Sequence, residues 1–212
     1  MNDIMLKQLK CIGILGGTFN PVHKGHIMLA QEVLNQFQNI EKLYIMPNNI
    51  PAYKESEDII SSQHRINMLK LASEDIADAV VSDMEILRGG QTYTIDTLRQ
   101  IKSINNDIKL YFIIGADSLY NIEKWREYEE IFKYCTIIAA KRDCDLDDII
   151  EYSKELKTKY SSLNIEFLET QAIDISSSAI RHNLKNQIID DTFLDDKIIK
   201  YIKNNKLYGW NS

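Results

Sequence analysis

The chain has 212 residues, of which 44% are hydrophobic and 26% charged, and its formal net charge is −6. This balance is typical of a globular domain with a substantial core. The acidic charge argues against nucleic acid as a partner, because nucleic-acid binding needs a basic face. We expect a single domain over residues 1–212.

Neither a membrane segment nor a disulfide framework is predicted. No apolar run reaches about 18 residues, and residues 1–7 lack the long apolar core of a signal peptide. The three cysteines have no paired spacing, which argues against both a disulfide framework and a zinc knuckle. We therefore expect a cytoplasmic protein without a membrane partner, and the sequence leaves a homo-oligomer open.

Apolar runs typical of β-strands alternate along the chain with stretches of helical spacing. The helical patterns cover residues 27–37 and shorter segments at 68–72, 95–101 and 198–202. The strand-like runs are residues 11–15, 43–46, 110–114, 136–140 and 165–168. This alternation predicts an α/β fold with a doubly wound, mostly parallel sheet and helices on both faces, followed by a small C-terminal helical part from about residue 176.

The first strand leads into a segment that is typical of a phosphate site. Two glycines, a threonine and a proline turn precede His23 and His26, and a strand, a tight glycine turn and a helix N-terminus together bind phosphate. If the helix begins near Val22, both histidines lie on one side of its first turn, where they can donate to an anion. A capping histidine beside a packed one, or a metal-binding pair, would be the alternatives.

Polar clusters follow four of the predicted strands. In parallel α/β sheets, ligands bind beyond the carboxyl ends of the strands, so we expect these clusters to converge at one edge. The second cluster also precedes His64 and Arg65, which we expect to form a surface pair. Asp117, in the third cluster, is expected to cap the next helix. The clusters are Gly16-Gly17-Thr18, Pro47-Asn48-Asn49, Gly115-Ala116-Asp117-Ser118 and Lys141-Arg142.

A second anion-binding pattern lies near the end of the chain. Ser176, Ser177 and Ser178 precede a helical stretch that contains Arg181. One serine is explained as an N-cap, but hydroxyls, amides and a guanidinium together also form an anion pocket.

These motifs resemble those of the HxGH nucleotidyltransferases, and most closely the bacterial nicotinate-nucleotide adenylyltransferases. Residues 16–26 match the family's opening motif, and residues 175–181 match its closing Ser-Ser-Thr-x-Ile-Arg motif. Residues 92–98 are similar to its Tyr-Thr-x-x-Thr-Leu stretch, and residues 115–117 followed by Trp125 are similar to its nicotinate-reading segment. The resemblance covers almost the whole chain and implies a Rossmann-like fold.

Three places depart from the family's pattern. Asn20 stands where the family commonly has Asp, and its amide still permits a turn. Pro-Ala-Tyr-Lys at residues 51–54 replaces Pro-Pro-His-Lys, which retains Lys54 but removes a histidine. Arg142 begins Arg-Asp-Cys in place of Arg-Pro-Gly, so the family's geometry after that strand is not carried over.

The resemblance implies adenylyl transfer from ATP to nicotinate mononucleotide by in-line displacement at the α-phosphate, with Mg²⁺ carried on the ATP phosphates. The residues implied as catalytic are His23, His26 and Arg181. Those implied to bind ATP are Gly16, Gly17, Thr18, Phe19, His23, His26, Gly115, Asp117, Ser176, Ser177 and Arg181. Those implied to bind the mononucleotide are Asn48, Lys54, Thr92, Tyr93, Thr94, Trp125 and Arg142.

Two features bear on the choice of acceptor. Trp125 can stack on a pyridine ring, although a packed or surface tryptophan is an equal alternative on the residue alone. Hydroxyl and amide donors at residues 92–94 would prefer the nicotinate carboxylate to an amide. Nicotinamide mononucleotide or phosphopantetheine as the acceptor, and an ATP sensor without catalysis, stay open as alternatives.

Overall fold

The computed structural model describes residues 3–52, 58–141, 146–170 and 175–211. Of the predicted site residues, Lys54 and Arg142 lie outside the described residues. Within these ranges, no helix is both long and apolar enough to cross a membrane.

The main sheet has six parallel strands in the order β4-β2-β1-β6-β7-β8, and β3 and β5 form a separate two-stranded sheet. The strands in the described part of the chain are β1 Cys11–Gly17, β2 Lys42–Pro47, β3 Ile50–Pro51, β4 Ala79–Val81, β5 Gln91–Thr92, β6 Lys109–Gly115, β7 Thr136–Lys141 and β8 Ile165–Glu169. The chain crosses from one half of the main sheet to the other between β1 and β6, and such a switch point is where doubly wound folds bind ligands. The predicted fold class is confirmed.

Helices connect the strands, as the spacing of apolar residues predicted. The α-helices among the described residues are α1 Asp3–Leu6, α2 Lys24–Gln36, α3 Ser62–Ser73, α4 Met84–Arg88, α5 Thr94–Ile104, α6 Ala116–Tyr120, α7 Tyr128–Tyr134, α8 Leu146–Lys159, α9 Ser177–Lys185 and α10 Asp196–Asn204. After α10, a 3₁₀ turn over Leu207–Gly209 buries Tyr208 against the body of the protein.

Each face of the main sheet carries its own apolar core. Neighbouring residues of a strand point to opposite faces, so Ile14 joins one core and Leu15 the other. On one face, which we call the α5 face, apolar side chains of α5 and α7 pack against the sheet. The α2 face is covered by α2, α3, α9 and α10. Both predicted anion motifs therefore belong to elements of the α2 face.

Candidate active site

The turn after β1 is built around Gly17 and Phe19. Phe19 adopts a left-handed backbone with φ of 50°, and its buried ring lies directly over Gly17. A Cβ at residue 17 would stand 2.9 Å from Phe19 Cζ, so only glycine fits there without displacing the ring. At Gly16, the nearest atom to an added Cβ is Phe112 Cζ at 3.4 Å, which is ordinary contact.

The two histidines form a stacked pair at the start of α2. His23 is the N-cap, with extended φ and ψ of −142° and 168°, and His26 is the third helical residue. Their ring centroids are 3.7 Å apart with planes inclined at 31°. The His23 amide donates to Nδ1 of His26 over 3.3 Å. Since Nδ1 of His26 accepts, the proton of its neutral ring is on Nε2, which makes Nε2 a donor.

His23 is the more buried of the pair, with 8% of its surface exposed. Burial lowers its pKa to about 4, so the ring is neutral at physiological pH. Its Nδ1 atom is buried without a hydrogen-bond partner, a costly state for a polar atom. The capping alternative is supported by the N-cap position of His23 and by the reciprocal capping arrangement of His23 and His26.

The closing motif packs directly against the opening one. A Cβ on Gly25 would lie 3.2 Å from His23 Nδ1 and 3.3 Å from Ile175 Cγ2, so the residues before α9 meet the first turn of α2. Ser177 Oγ donates to the carbonyl of Pro21 over 3.0 Å. Ser176 is the N-cap of α9, and its Oγ accepts from the amide of Ala179 over 3.1 Å.

Arg181 extends the contact between the two motifs. Its Nη1 donates to the carbonyl of Asn20 over 2.9 Å, and its Nη2 donates to Ser178 Oγ over 3.3 Å. Its Nε is buried without a partner. A cavity of about 250 Å³ lies beside the N-terminus of α9. Its lining is mainly apolar and also includes the polar side chains of Ser176, Asn183 and Asp190.

The loop after β2 links the opening motif to the residues predicted to bind nicotinate. Asn48 Nδ2 donates to Thr18 Oγ1 over 3.2 Å. The amide of Asn49 donates to Thr92 Oγ1 over 2.9 Å, and Pro51 pairs with Thr92 in the small sheet. The structure therefore brings Thr18, Asn48 and Thr92 together near the carboxyl ends of β1 and β2.

Trp125 lies on the α5 face beside the switch point. Its ring meets Phe112 edge-on, with centroids 6.0 Å apart and planes at 89°, and Phe112 is the residue nearest to Gly16. Tyr93 is the N-cap of α5, which begins at Thr94, and Arg126 stacks 4.8 Å above the Tyr93 ring. Trp125 therefore packs against the core of the α5 face and is only partly buried.

Gly115 and Asp117 lie at the carboxyl end of β6, as predicted. Gly115 is exposed and is the N-cap of the short helix α6. The interpretation of Asp117 as a helix cap is wrong, because Asp117 lies within the first turn of α6 with its side chain exposed.

Arg65 is the clearest correction to the sequence analysis. It is 1% exposed, whereas we expected a surface pair with His64. Its Nη1 donates to the carbonyl of Thr18 over 3.0 Å. The helical spacing already contained this information, because Arg65 falls on the same side of α3 as buried Met68 and Leu69.

Sequence reasoning also missed a hydrogen bond between Asn20 and Tyr208. The buried Tyr208 hydroxyl donates to Asn20 Oδ1 over 2.9 Å, and Asn20 Nδ2 donates to the carbonyl of Asp58 over 2.8 Å. No periodicity marks Tyr208, because it follows the last helix in a turn with left-handed φ of 58°. The C-terminal segment thus contacts the opening motif.

Sequence comparison identifies related proteins. Residues 14–183 match the family described as cytidylyltransferase-like. The chain is 36% identical over 200 residues to the nicotinate-nucleotide adenylyltransferase of Bacillus subtilis, covering 94% of this chain and 99% of that one. It is 37% identical over 201 residues to a protein of Lachnoclostridium phytofermentans named a probable nicotinate-nucleotide adenylyltransferase, covering 94% and 100% of the two chains.

A solved structure shows the same fold. The nicotinic acid mononucleotide adenylyltransferase of Plasmodium falciparum, complexed with NaAD, superposes with a TM-score of 0.77 over 95% of this chain and 98% of that one, at 21% identity. From the family match and the sequence identity to relatives over nearly their full length, the chain belongs to the nicotinate-nucleotide adenylyltransferase family of cytidylyltransferase-like proteins.

Proposed function

We propose that this protein transfers the adenylyl group of ATP to nicotinate mononucleotide, giving nicotinate adenine dinucleotide and pyrophosphate in NAD biosynthesis. The observation that carries this proposal is the joining of the two motifs from opposite ends of the chain. Ser177 donates a hydrogen bond to Pro21, and Arg181 donates one to Asn20. The opening motif and the N-terminus of α9 therefore form one anion-binding surface.

The ATP half of the site comes from the α2 face. His26 donates from Nε2 to the α-phosphate, where negative charge builds in the transition state. Neutral His23 donates beside it. Arg181, with Ser176 and Ser177, holds the departing phosphates by exchanging its bond to exposed Ser178 for a phosphate oxygen.

The backbone at Gly16, Gly17, Thr18 and Phe19 would follow the nucleotide, with Gly115 and Asp117 on its ribose side. The adenine fits the apolar cavity beside α9, which is lined in part by Ile175 and Ser176. A mostly apolar wall with a few polar groups is the usual lining for a small-molecule ring.

The mononucleotide half is proposed to combine the loop after β2, the segment from β5 into α5, and residues that follow α6 and β7. Trp125 stacks on the pyridine ring, and Thr92, Tyr93 and Thr94 donate to its carboxylate. Asn48, and also Lys54 and Arg142 outside the described residues, are proposed to hold its ribose and phosphate. A pocket of donors favours the acid, since the nicotinamide NH₂ would meet N–H groups.

The chemistry is a direct displacement. A phosphate oxygen of the mononucleotide bonds to the α-phosphorus as the bond to the β-phosphate oxygen breaks, and pyrophosphate leaves. The protein contributes alignment and charge stabilisation. Cys11 and Cys135 are buried thiols whose pKa is raised by burial, so neither is an activated nucleophile. Such unpaired thiols also suit the cytoplasm.

Mg²⁺ is proposed to enter with ATP. Among the described residues, no group of three His, Cys, Asp or Glu side chains is arranged to hold a metal. The donors at the strand ends suit phosphate oxygens, which are themselves good Mg²⁺ ligands. When bound, the ion neutralises phosphate charge.

The test is an acceptor panel. The protein is incubated with Mg-ATP and, separately, with nicotinate mononucleotide, nicotinamide mononucleotide, phosphopantetheine or no acceptor, and pyrophosphate release is measured. We expect release with the nicotinate form and at least about tenfold lower kcat/KM with the amide. Release only with phosphopantetheine would indicate a sister enzyme. Binding of ATP without release under any condition would indicate a sensor.

A further inference from the structure

The guanidinium of Arg65 is a buried cation whose acceptors in the described part of the chain are all neutral. Besides its bond to Thr18, Nη1 lies 3.4 Å from Asn48 Oδ1, and Nη2 donates to the carbonyl of Asn49 over 3.4 Å. Its Nε is buried without a partner. Burying a charge whose described neighbours offer no counter-charge is costly, so a fold that keeps such a group gains something besides stability from it.

The acceptors of Arg65 belong to both halves of the proposed site. Thr18 follows β1 in the ATP half. Asn48 and Asn49 follow β2, and the Asn49 amide in turn bonds to Thr92 Oγ1 in the mononucleotide half. One planar guanidinium therefore sets the separation of the two loops, and its rigid fork suits this task better than a lysine would.

We propose that Arg65 is a positioning residue for adenylyl transfer, which holds the loops after β1 and β2 so that the acceptor phosphate lies in line with the α-phosphate of ATP. This inference rests on the proposed function. Arg65 acts through Thr18, Asn48 and Asn49 and need not touch either substrate. Its charge also makes the strand ends more positive, which favours two anions meeting there.

The surroundings of Arg65 support this assignment. Tyr208 lies close enough for Arg65 and Arg181 both to lower its pKa, although burial dominates and raises that pKa overall. The hydroxyl therefore stays protonated and donates to Asn20. Two guanidinium groups and this neutral hydroxyl thus hold residues 18–20 from three elements, α3, α9 and the C-terminal turn.

The test compares Arg65→Met, Arg65→Lys and the control Lys102→Met. Lys102 also donates to two backbone carbonyls, those of Asn106 and Ile108, each over 2.8 Å. These two residues precede β6 and so lie at the amino ends of the strands, away from the proposed site. We measure kcat, both KM values and the thermal midpoint of each variant. A role in general packing alone would change the thermal midpoint without separating kcat from KM.

We expect Arg65→Met to lower kcat by about 100-fold, with both KM values within about threefold of wild type, since misalignment costs more than lost contact. Arg65→Lys should give an intermediate kcat, because the ammonium keeps the charge but not the fork. Lys102→Met should leave kcat within about twofold. If Arg65→Met does not fold, Arg65→Lys carries the test, with a fall of at least about fivefold expected.

Three results would overturn the inference. One is a folded Arg65 variant with the wild-type kcat, and another is an equal fall in Lys102→Met. The third is a rise in KM that accounts for the whole loss, which would make Arg65 a simple binding contributor. Wild-type protein without turnover is a separate outcome, because it contradicts the proposed function itself and the inference with it.

Discussion

At the scale of single residues, His26 is prepared to donate. Its Nδ1 accepts from the His23 amide, which leaves the proton on Nε2, and its ring is held edge-on against Phe19 with centroids 4.9 Å apart. A donor held in place before the reaction needs little reorganisation when charge develops.

Replacing His26 by alanine should therefore lower kcat by about 100-fold or more. The KM for nicotinate mononucleotide should change little, because His26 belongs to the ATP half. Steady-state kinetics with Mg-ATP measures both, and circular dichroism confirms folding. A folded His26→Ala protein with unchanged kcat would rule out this role.

The burial of His23 leads to a prediction about how the stability of the protein depends on pH. Its pKa is about 4 in the folded protein against an ordinary 6.5, so between these values the unfolded chain binds more protons. Stability from this group is therefore full above about pH 6.5 and is lost as pH falls toward about 4. From pH 7.5 to pH 5, His23 should contribute a loss on the order of 2 kcal/mol.

The measurement is urea unfolding of wild type and His23→Asn at both pH values. Carboxylates titrate similarly in the two proteins, so the difference in their pH dependence isolates His23. We expect the wild type to lose more stability than the variant on acidification. Equal losses in the two proteins would show that His23 is not held neutral by burial.

Replacing Gly115 by alanine tests whether ATP approaches the backbone after β6. A Cβ there would meet no atom of the protein within 4 Å, so Gly115→Ala should change stability by less than about 1 kcal/mol. A methyl group pressed against bound nucleotide should raise the KM for ATP by about tenfold. Gly17→Ala is the contrasting variant, because its Cβ would strike Phe19 and lower the thermal midpoint. An unchanged KM in Gly115→Ala would remove Gly115 from the site.

At the scale of elements, the C-terminal turn packs against the opening motif. Tyr208 bonds to Asn20 inside the site. Tyr201, on α10, bonds through its hydroxyl to His64 and Asn67 of α3, at 3.0 and 2.9 Å, away from the motif. The two tyrosines therefore form a matched pair for mutation.

Both Tyr208→Phe and Tyr201→Phe should lose about 1 kcal/mol of stability in urea unfolding, since each gives up hydroxyl hydrogen bonds. Only Tyr208→Phe should also lower kcat/KM for ATP, by about tenfold, because Asn20 positions the turn that leads to His23. Equal catalytic effects in the two variants, or none in Tyr208→Phe, would contradict a role for the C-terminal turn in the site.

Several elements were predictable because their pattern is local. The five longer strands contain the predicted apolar runs, and the strands inside the sheet are buried on both faces, whereas the edge strand β8 exposes Glu166 and Glu169. β4 was missed because Ala79–Val81 is too short to show a period. α2 begins at Lys24, slightly later than expected, because His23 takes an extended backbone as its N-cap.

The supporting contacts of the site were less predictable than its motifs. Arg65 and Tyr208 donate hydrogen bonds to partners far away in the chain, in the turn after β1. A hydrophobic period can mark a side chain as facing inward, but it does not say which carbonyl a buried cation meets. That information arises only when the sheet order places β2 beside β1.

At the scale of the whole molecule, the two proposed substrate halves lie on opposite faces of the sheet and meet at its switch point. The histidine turn, α9 and Arg181 belong to the α2 face, whereas Trp125 and α5 belong to the other. Although the formal net charge is −6, Arg65 and Arg181 concentrate positive charge where two anions must meet. The proposed direct transfer requires both substrates to bind together at the carboxyl ends of these strands.

Exchange of labelled pyrophosphate into ATP tests this central claim most directly. The protein is incubated with Mg-ATP and labelled pyrophosphate, with or without nicotinate mononucleotide. We predict labelled ATP only when the mononucleotide is present, because the α-phosphorus passes directly between the two substrates. Labelled ATP without the mononucleotide would reveal an adenylyl-enzyme intermediate, and no exchange in either case with folded protein would contradict adenylyl transfer itself.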